Sequence, residues 1–168
     1  HLDYFDTSLC DRTYSMIDGI NNYCELIESH NLTSSFFVLG EIADSQSAIL
    51  KELVKNKYDI GSHGWDHKRP MTLTGKEFKD QLEKSKKTIE DITGRLVEGF
   101  RAPCFSMDDY RLNEVIRAGY LYDSSRIDFK NHPLYETLKI ENYKQIGKYI
   151  YRLGNFFEFE LSTKSIFG

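Results

Sequence analysis

The chain has 168 residues, 40% of them hydrophobic and 29% charged, with a formal net charge of -4. That length suits one domain with a sizeable core, yet falls short of the roughly 250 residues of a complete eight-stranded α/β barrel, so a partial or reduced barrel is an option. The composition excludes a disordered chain and any membrane span, and the absence of a basic face argues against nucleic acid as the main ligand.

From the N-terminus, Met16, Ile17, Ile20, Tyr23, Cys24 and Ile27 recur at helical spacing and predict an amphipathic helix over about residues 13 to 29, with His30 at its end. Thr33 to Gly40 is short, rich in β-formers and closed by glycine, as a buried strand would be. A second helix carries Ile49, Leu50, Leu53 and Val54 and leads into the strand Tyr58-Asp59-Ile60-Gly61, which ends at His63. Thr74 with Glu77 forms a capping box, and Phe78, Leu82, Ser85, Ile89 and Ile92 mark one face of a helix that stops at Gly94.

Beyond that helix, Val97 to Phe100 reads as a strand running into Arg101-Ala102-Pro103-Cys104-Phe105. A short helix near residues 109 to 118 stops at Gly119, and Tyr120-Leu121-Tyr122 reads as another strand before Asp123-Ser124-Ser125. The alternation of strand and helix predicts a parallel sheet with right-handed crossovers. Residues 126 to 147 show no regular period, and His132 before Pro133 suits a turn. Tyr149 to Leu153 and Phe156 to Leu161 read as two strands joined by a Gly-Asn turn. No repeat, linker or low-complexity tract divides the chain, so a single domain is expected.

Three cysteines, Cys10, Cys24 and Cys104, are an odd number without metal-type pairing, and no signal peptide is visible, so a cytoplasmic rather than secreted setting is expected. His63 and His67, four apart at a strand end, can reach one cation, and ligands collect at such strand ends in parallel α/β folds. Arg101 reads either as a partner for a site carboxylate or as a surface salt bridge. Trp65, Phe105 and Tyr110 suit either a wall for a sugar ring or core packing. Asp123 reads either as a supporting carboxylate or as the cap of its own turn.

Four segments in order resemble motifs of the polysaccharide deacetylases, the NodB-homology domains of carbohydrate esterase family four. They are Phe36 to Gly40, Asp59 to His67, Phe100 to Pro103, and Gly119 to Ser125. The Phe157-Glu158-Phe159 run and Leu161-Ser162-Thr163 resemble the subgroup associated with exopolysaccharide gene clusters. The resemblance implies a distorted, incomplete (β/α) barrel, here without its first and last strands. It also implies metal-dependent removal of N-acetyl groups from a bacterial polysaccharide or its sugar precursors.

On that template, His63, His67 and Asp3 would be ligands of Zn2+ or another divalent metal. Arg101 would hold a base carboxylate ionised, and the backbone N–H of Cys104 would face the developing oxyanion. Trp65, Pro103 and Phe105 would meet the sugar of an N-acetylated polysaccharide or oligosaccharide. The family's general base would precede His1, and its late histidine acid has no counterpart after His132, so a domain trimmed at both ends is expected. A catalytically inactive carbohydrate-binding or assembly protein is the alternative, and an amidohydrolase acting on a small non-sugar amide is a third reading.

Overall fold

The computed structural model describes residues 16–127 and 138–163, with only the backbone considered for 16–18. The chain divides into two compact units, 1–34 and 35–168. In the first, helix α1 spans Met16–Ser29 and is closed by His30, whose Nδ1 lies 2.9 Å from the Leu26 carbonyl.

The second unit is a seven-stranded open sheet with helices between its strands. Its strands are β1 (Ser35–Val38), β2 (Asp59–Ser62), β3 (Gly99–Phe100), β4 (Tyr122–Asp123), β5 (Lys144–Gly147), β6 (Ile150–Leu153) and β7 (Phe156–Phe159), in spatial order β1-β2-β3-β4-β7-β6-β5. β1 through β4 and then β7 run parallel, so their carboxyl ends share one edge. β6 runs antiparallel to β7 and β5 antiparallel to β6, because the two-residue links Lys148-Tyr149 and Gly154-Asn155 make hairpins instead of helical crossovers. The parallel expectation therefore holds for the first five positions and gives way at the hairpin.

Among the described residues this unit also holds the α-helices α2 (Gly40–Ala43), α3 (Ser47–Lys55), α4 (Gly75–Thr93) and α5 (Asp109–Arg117). α4 forms as its caps dictate. The Thr74 hydroxyl accepts the Glu77 N–H at 3.3 Å, the Glu77 carboxylate accepts the Thr74 N–H at 2.8 Å, and Gly94 ends the helix in the left-handed region. Thr74→Ala is expected to lower stability by about 1 kcal/mol, measured as a shift in the denaturation midpoint. An unchanged midpoint would mean that Glu77 alone supports this terminus.

One face of α4 builds the core. Phe78, Leu82, Ser85 and Ile89 are buried, and Phe100 lies between Phe78 and Tyr120 with ring centroids 6.1 and 5.5 Å away. Two expected strands are shorter than their apolar runs, for the same reason. The Val97 N–H is taken by the Glu90 carboxylate at 2.9 Å and its carbonyl by Lys86, so α4 removes that residue from the sheet. Tyr120 likewise bonds back to the Val115 carbonyl at 3.4 Å and completes α5 rather than starting β4.

Glycine is required where aromatic rings cross the sheet. A Cβ on Gly61 would stand 2.6 Å from the Phe37 ring, and one on Gly99 would collide with the ring of Tyr122. Gly40 at the start of α2 has the same role, since its Cβ would stand 2.5 Å from Trp65.

Candidate active site

The carboxyl ends of β1 to β4 continue hydrogen bonding beyond the strands, and this carries the site residues into fixed places. The His63 N–H donates to the Val38 carbonyl at 2.8 Å, Arg101 N–H to Ser62 at 2.9 Å, and Ser124 N–H to Phe100 at 3.0 Å. The loop after His63 is then clamped by α2, whose first amides donate to the carbonyls of Gly64 and Trp65 at 2.9 and 3.1 Å. A buried hydroxyl pair, Ser62 and Ser85 at 2.8 Å, supports it from below, and Ser62 also accepts the Gly64 N–H. Gly64 and His67 both adopt left-handed backbone, which folds the loop back on itself.

That fold brings the His63 and His67 rings to a centroid separation of 5.0 Å. His63 Nδ1 lies 2.7 Å from the Arg101 carbonyl, an acceptor, so Nδ1 carries the proton and Nε2 keeps its lone pair. Burial pushes the His63 pKa down to about 4, opposed by that carbonyl and reinforced by the charges of His67 and Arg101. His67 is lowered too, first by burial. Both rings are therefore neutral at neutral pH, the form a metal requires.

Two neutral imidazoles with one tautomer fixed fit a divalent cation as part of its ligand set. Among the described residues no cluster of three or more His, Cys, Asp or Glu completes that set, and Asp3, the expected carboxylate ligand, lies outside them. Asp66, between the histidines, is turned to other work. It accepts from Gln81 at 2.9 Å and pairs with Lys68 at 2.6 Å.

Arg101 is half-buried, stacked 4.3 Å from the Phe37 ring centroid, and donates to the Ser124 carbonyl at 3.0 Å and the Ser124 hydroxyl at 2.7 Å. It is thus a strut inside the sheet edge, and among the described residues it forms no ion pair. Cys104 and Phe105 both adopt left-handed backbone, with φ of 55° and 53°. For non-glycine residues this costs on the order of 1–3 kcal/mol each, a strain that collects at working sites.

Two of the residues expected to meet the sugar, Trp65 and Pro103, have packing neighbours in the structure. Trp65 has Lys84 Nζ 3.5 Å from its ring centroid and Gly40 against its edge. Pro103 is buried against Gly64. Phe105 remains half-buried beside them, and Tyr110 is exposed near Gly75.

Beneath the Arg101 loop lies a carboxyl pair. Asp123 on β4 and Glu158 on β7 are register partners, both 0% exposed, and Glu158 Oε2 is buried with no hydrogen-bond partner among the described residues. Asp123 accepts the N–H and hydroxyl of Ser125 at 3.0 and 2.7 Å, so it caps its own turn. Burial raises both acids above the ordinary carboxylate range, Glu158 further because the Asp123 charge adds to it. Glu158 stood in the sequence only as part of an aromatic run. Its signal was the alternation in β7, which puts it on the buried face with Phe156.

The sequence pattern that defines the polysaccharide deacetylases matches residues 11–122. The peptidoglycan deacetylase of Helicobacter pylori is 28% identical over 117 residues, covering 70% of this chain and 40% of the relative. The chitooligosaccharide deacetylase of Azorhizobium caulinodans is 30% identical over 120 residues, covering 71% of this chain and 56% of the relative. In structure the chain is similar to a family-four carbohydrate esterase pseudoenzyme from Bacillus anthracis, solved as a mutant with restored enzymatic activity. There the TM-score is 0.58 at 26% identity over 60% of this chain and 37% of that one. The chain spans about two-fifths to just over half the length of the two relatives.

Proposed function

The chain belongs to the polysaccharide deacetylase family, and from that premise we propose that it forms the metal-binding part of a hydrolase removing N-acetyl groups from a bacterial polysaccharide. The observation that carries this reading is the His63–His67 pair: two neutral rings 5.0 Å apart, one with its tautomer fixed by the Arg101 carbonyl. Named activities of the relatives, on peptidoglycan and on chitooligosaccharides, support an N-acetylated amino sugar as the substrate class. The exopolysaccharide-cluster subgroup, suggested by Phe157-Glu158-Phe159, is the finer assignment we favour.

His63 and His67, with Asp3 as the carboxylate, would hold Zn2+ or a similar divalent cation. Such a cation polarises an amide carbonyl and acidifies water, both of which amide hydrolysis needs near neutral pH. Within the chain, His63 keeps Nε2 unprotonated and aimed by its Nδ1 bond. Arg101, whose observed donors go to Ser124, would act by charge and its remaining N–H groups on a carboxylate from outside the described residues. The strained Cys104 turn would offer a backbone N–H to a developing oxyanion. Phe105 gives the sugar an apolar edge.

The test is acetate release by the complete protein from chitooligosaccharides and from peptidoglycan, before and after chelation and after Zn2+ is restored. Release that is lost and regained with the metal is the expected result. Stoichiometric metal without any acetate would favour the catalytically silent reading, which the likeness to a pseudoenzyme supports.

A further inference from the structure

We propose that Glu158 is a positioning residue: it carries the proton of the buried carboxyl pair, donates it to Asp123, and so fixes the turn that holds Arg101 and Ala102 beneath the His63 ring. The proposal rests on reading His63 as a metal ligand.

The geometry assigns the proton. Two ionised carboxylates in adjacent register, both 0% exposed, would repel in a medium that screens poorly. Asp123 has its charge satisfied by the N–H and O–H of Ser125. Glu158 Oε1 accepts the Arg126 N–H at 2.9 Å, whereas Oε2 is buried and, among the described residues, has no donor to accept from. An oxygen in that position is satisfied by donating, and Asp123 is the acceptor beside it.

The groups facing the pair leave this arrangement intact. Arg101, from the loop after β3, places two donors on Ser124 and meets the pair only through space. The guanidinium of Arg126 pairs with Glu160 at 2.9 Å and faces the Tyr151 ring of β6. Tyr143 ahead of β5 meets both carboxyls through space and supplies no cation, while Tyr122 acts on Arg101 and Asp109 on Tyr143.

From the pair a continuous path leads to the histidine. The Ser125 hydroxyl donates to Asp123 and accepts the Ala102 N–H at 2.8 Å. Ser124 receives the Arg101 guanidinium, donates to the Phe159 carbonyl at 2.9 Å, and so ties the loop to β7. The Arg101 carbonyl then orients His63. The proton on Glu158 is held more tightly folded than unfolded, so the arrangement is complete at lower pH and is lost as pH rises through the pair's ionisation.

The experiment compares Glu158→Gln and Glu158→Ala in the complete protein. Glutamine keeps a neutral donor toward Asp123 and alanine removes it. In the zinc-loaded protein Glu158→Gln should retain kcat on chitooligosaccharide and lose the alkaline decline that the pair imposes. Glu158→Ala should lower kcat by about 10- to 100-fold with KM little changed, the usual scale for groups that orient a metal ligand. Independently of turnover, the infrared carbonyl band of a protonated carboxyl should be present at neutral pH and vanish in Glu158→Gln. A band that persists in Glu158→Gln, an unaltered pH profile, or equal loss in both variants would overturn the proposal. If no substrate releases acetate, the functional reading fails while the infrared result still decides where the proton sits. Should Glu158→Ala not fold, Glu158→Gln and its spectrum decide alone.

Discussion

Replacing His63 and His67 together by alanine in the complete protein is expected to reduce bound zinc to background and acetate release by roughly 100-fold or more. The loss follows from ligand supply. The two rings are the metal-binding donors that the described part of the site brings together, and their neutrality at pH 7 follows from burial. Neither ring anchors the core, so the variant should melt close to wild type and the loss will not be one of folding. Removing His63 also leaves the Arg101 carbonyl without its 2.7 Å partner, but at a half-buried place where water can substitute. Metal analysis of the purified variant is the direct check. Unchanged zinc content would show that the cation is held elsewhere and would remove the basis for the mechanism.

The largest effect on stability is expected at Phe100. Its ring is 0% exposed, sits between Phe78 and Tyr120, and belongs to a two-residue strand at the middle of the parallel run. Truncation to alanine removes the filling between α4 and the sheet, for which about 3–5 kcal/mol is the usual cost. Against a total stability of roughly 5–15 kcal/mol, that is enough to depopulate the fold at moderate temperature. Phe100→Leu should cost markedly less, because most of the volume remains. Chemical denaturation of both variants measures the difference, and an alanine cost near zero would mean that α4 can collapse onto β3.

How far the sequence reveals this fold depends on the range of the interaction that sets each element. α4 is legible to the residue because its signals are local: Thr74 and Glu77 at one end, Gly94 at the other, apolar residues at helical period between. The histidine loop is legible because it follows an apolar strand. α2 is four residues long and carries no periodic signal; it exists because its amides meet the carbonyls of Gly64 and Trp65. β5, with three exposed residues among its four, is defined by pairing with β6 rather than by its own pattern.

The site shows the same division. His63 and His67 announce themselves by spacing, whereas Glu158 acquires meaning only when β7 lies beside β4 and sets it against Asp123, 35 positions earlier. Trp65 and Pro103 show that sequence position does not reveal packing neighbours. Both stand next to site residues in sequence, yet Lys84 and Gly40 occupy one and Gly64 the other.

The paired glycines of β2 and β3 limit which sequences this scaffold can explore. Phe37 and Tyr122 lie across the empty places at Gly61 and Gly99, and Phe37 also supports the Arg101 guanidinium. A side chain at either glycine would displace a ring, so drift at those positions must be accompanied by smaller residues at 37 or 122. Four sites on four different strands therefore change together or not at all. In a library randomised at 37, 61, 99 and 122, functional clones should fall into a few compensated combinations, with single changes at 61 or 99 nearly absent.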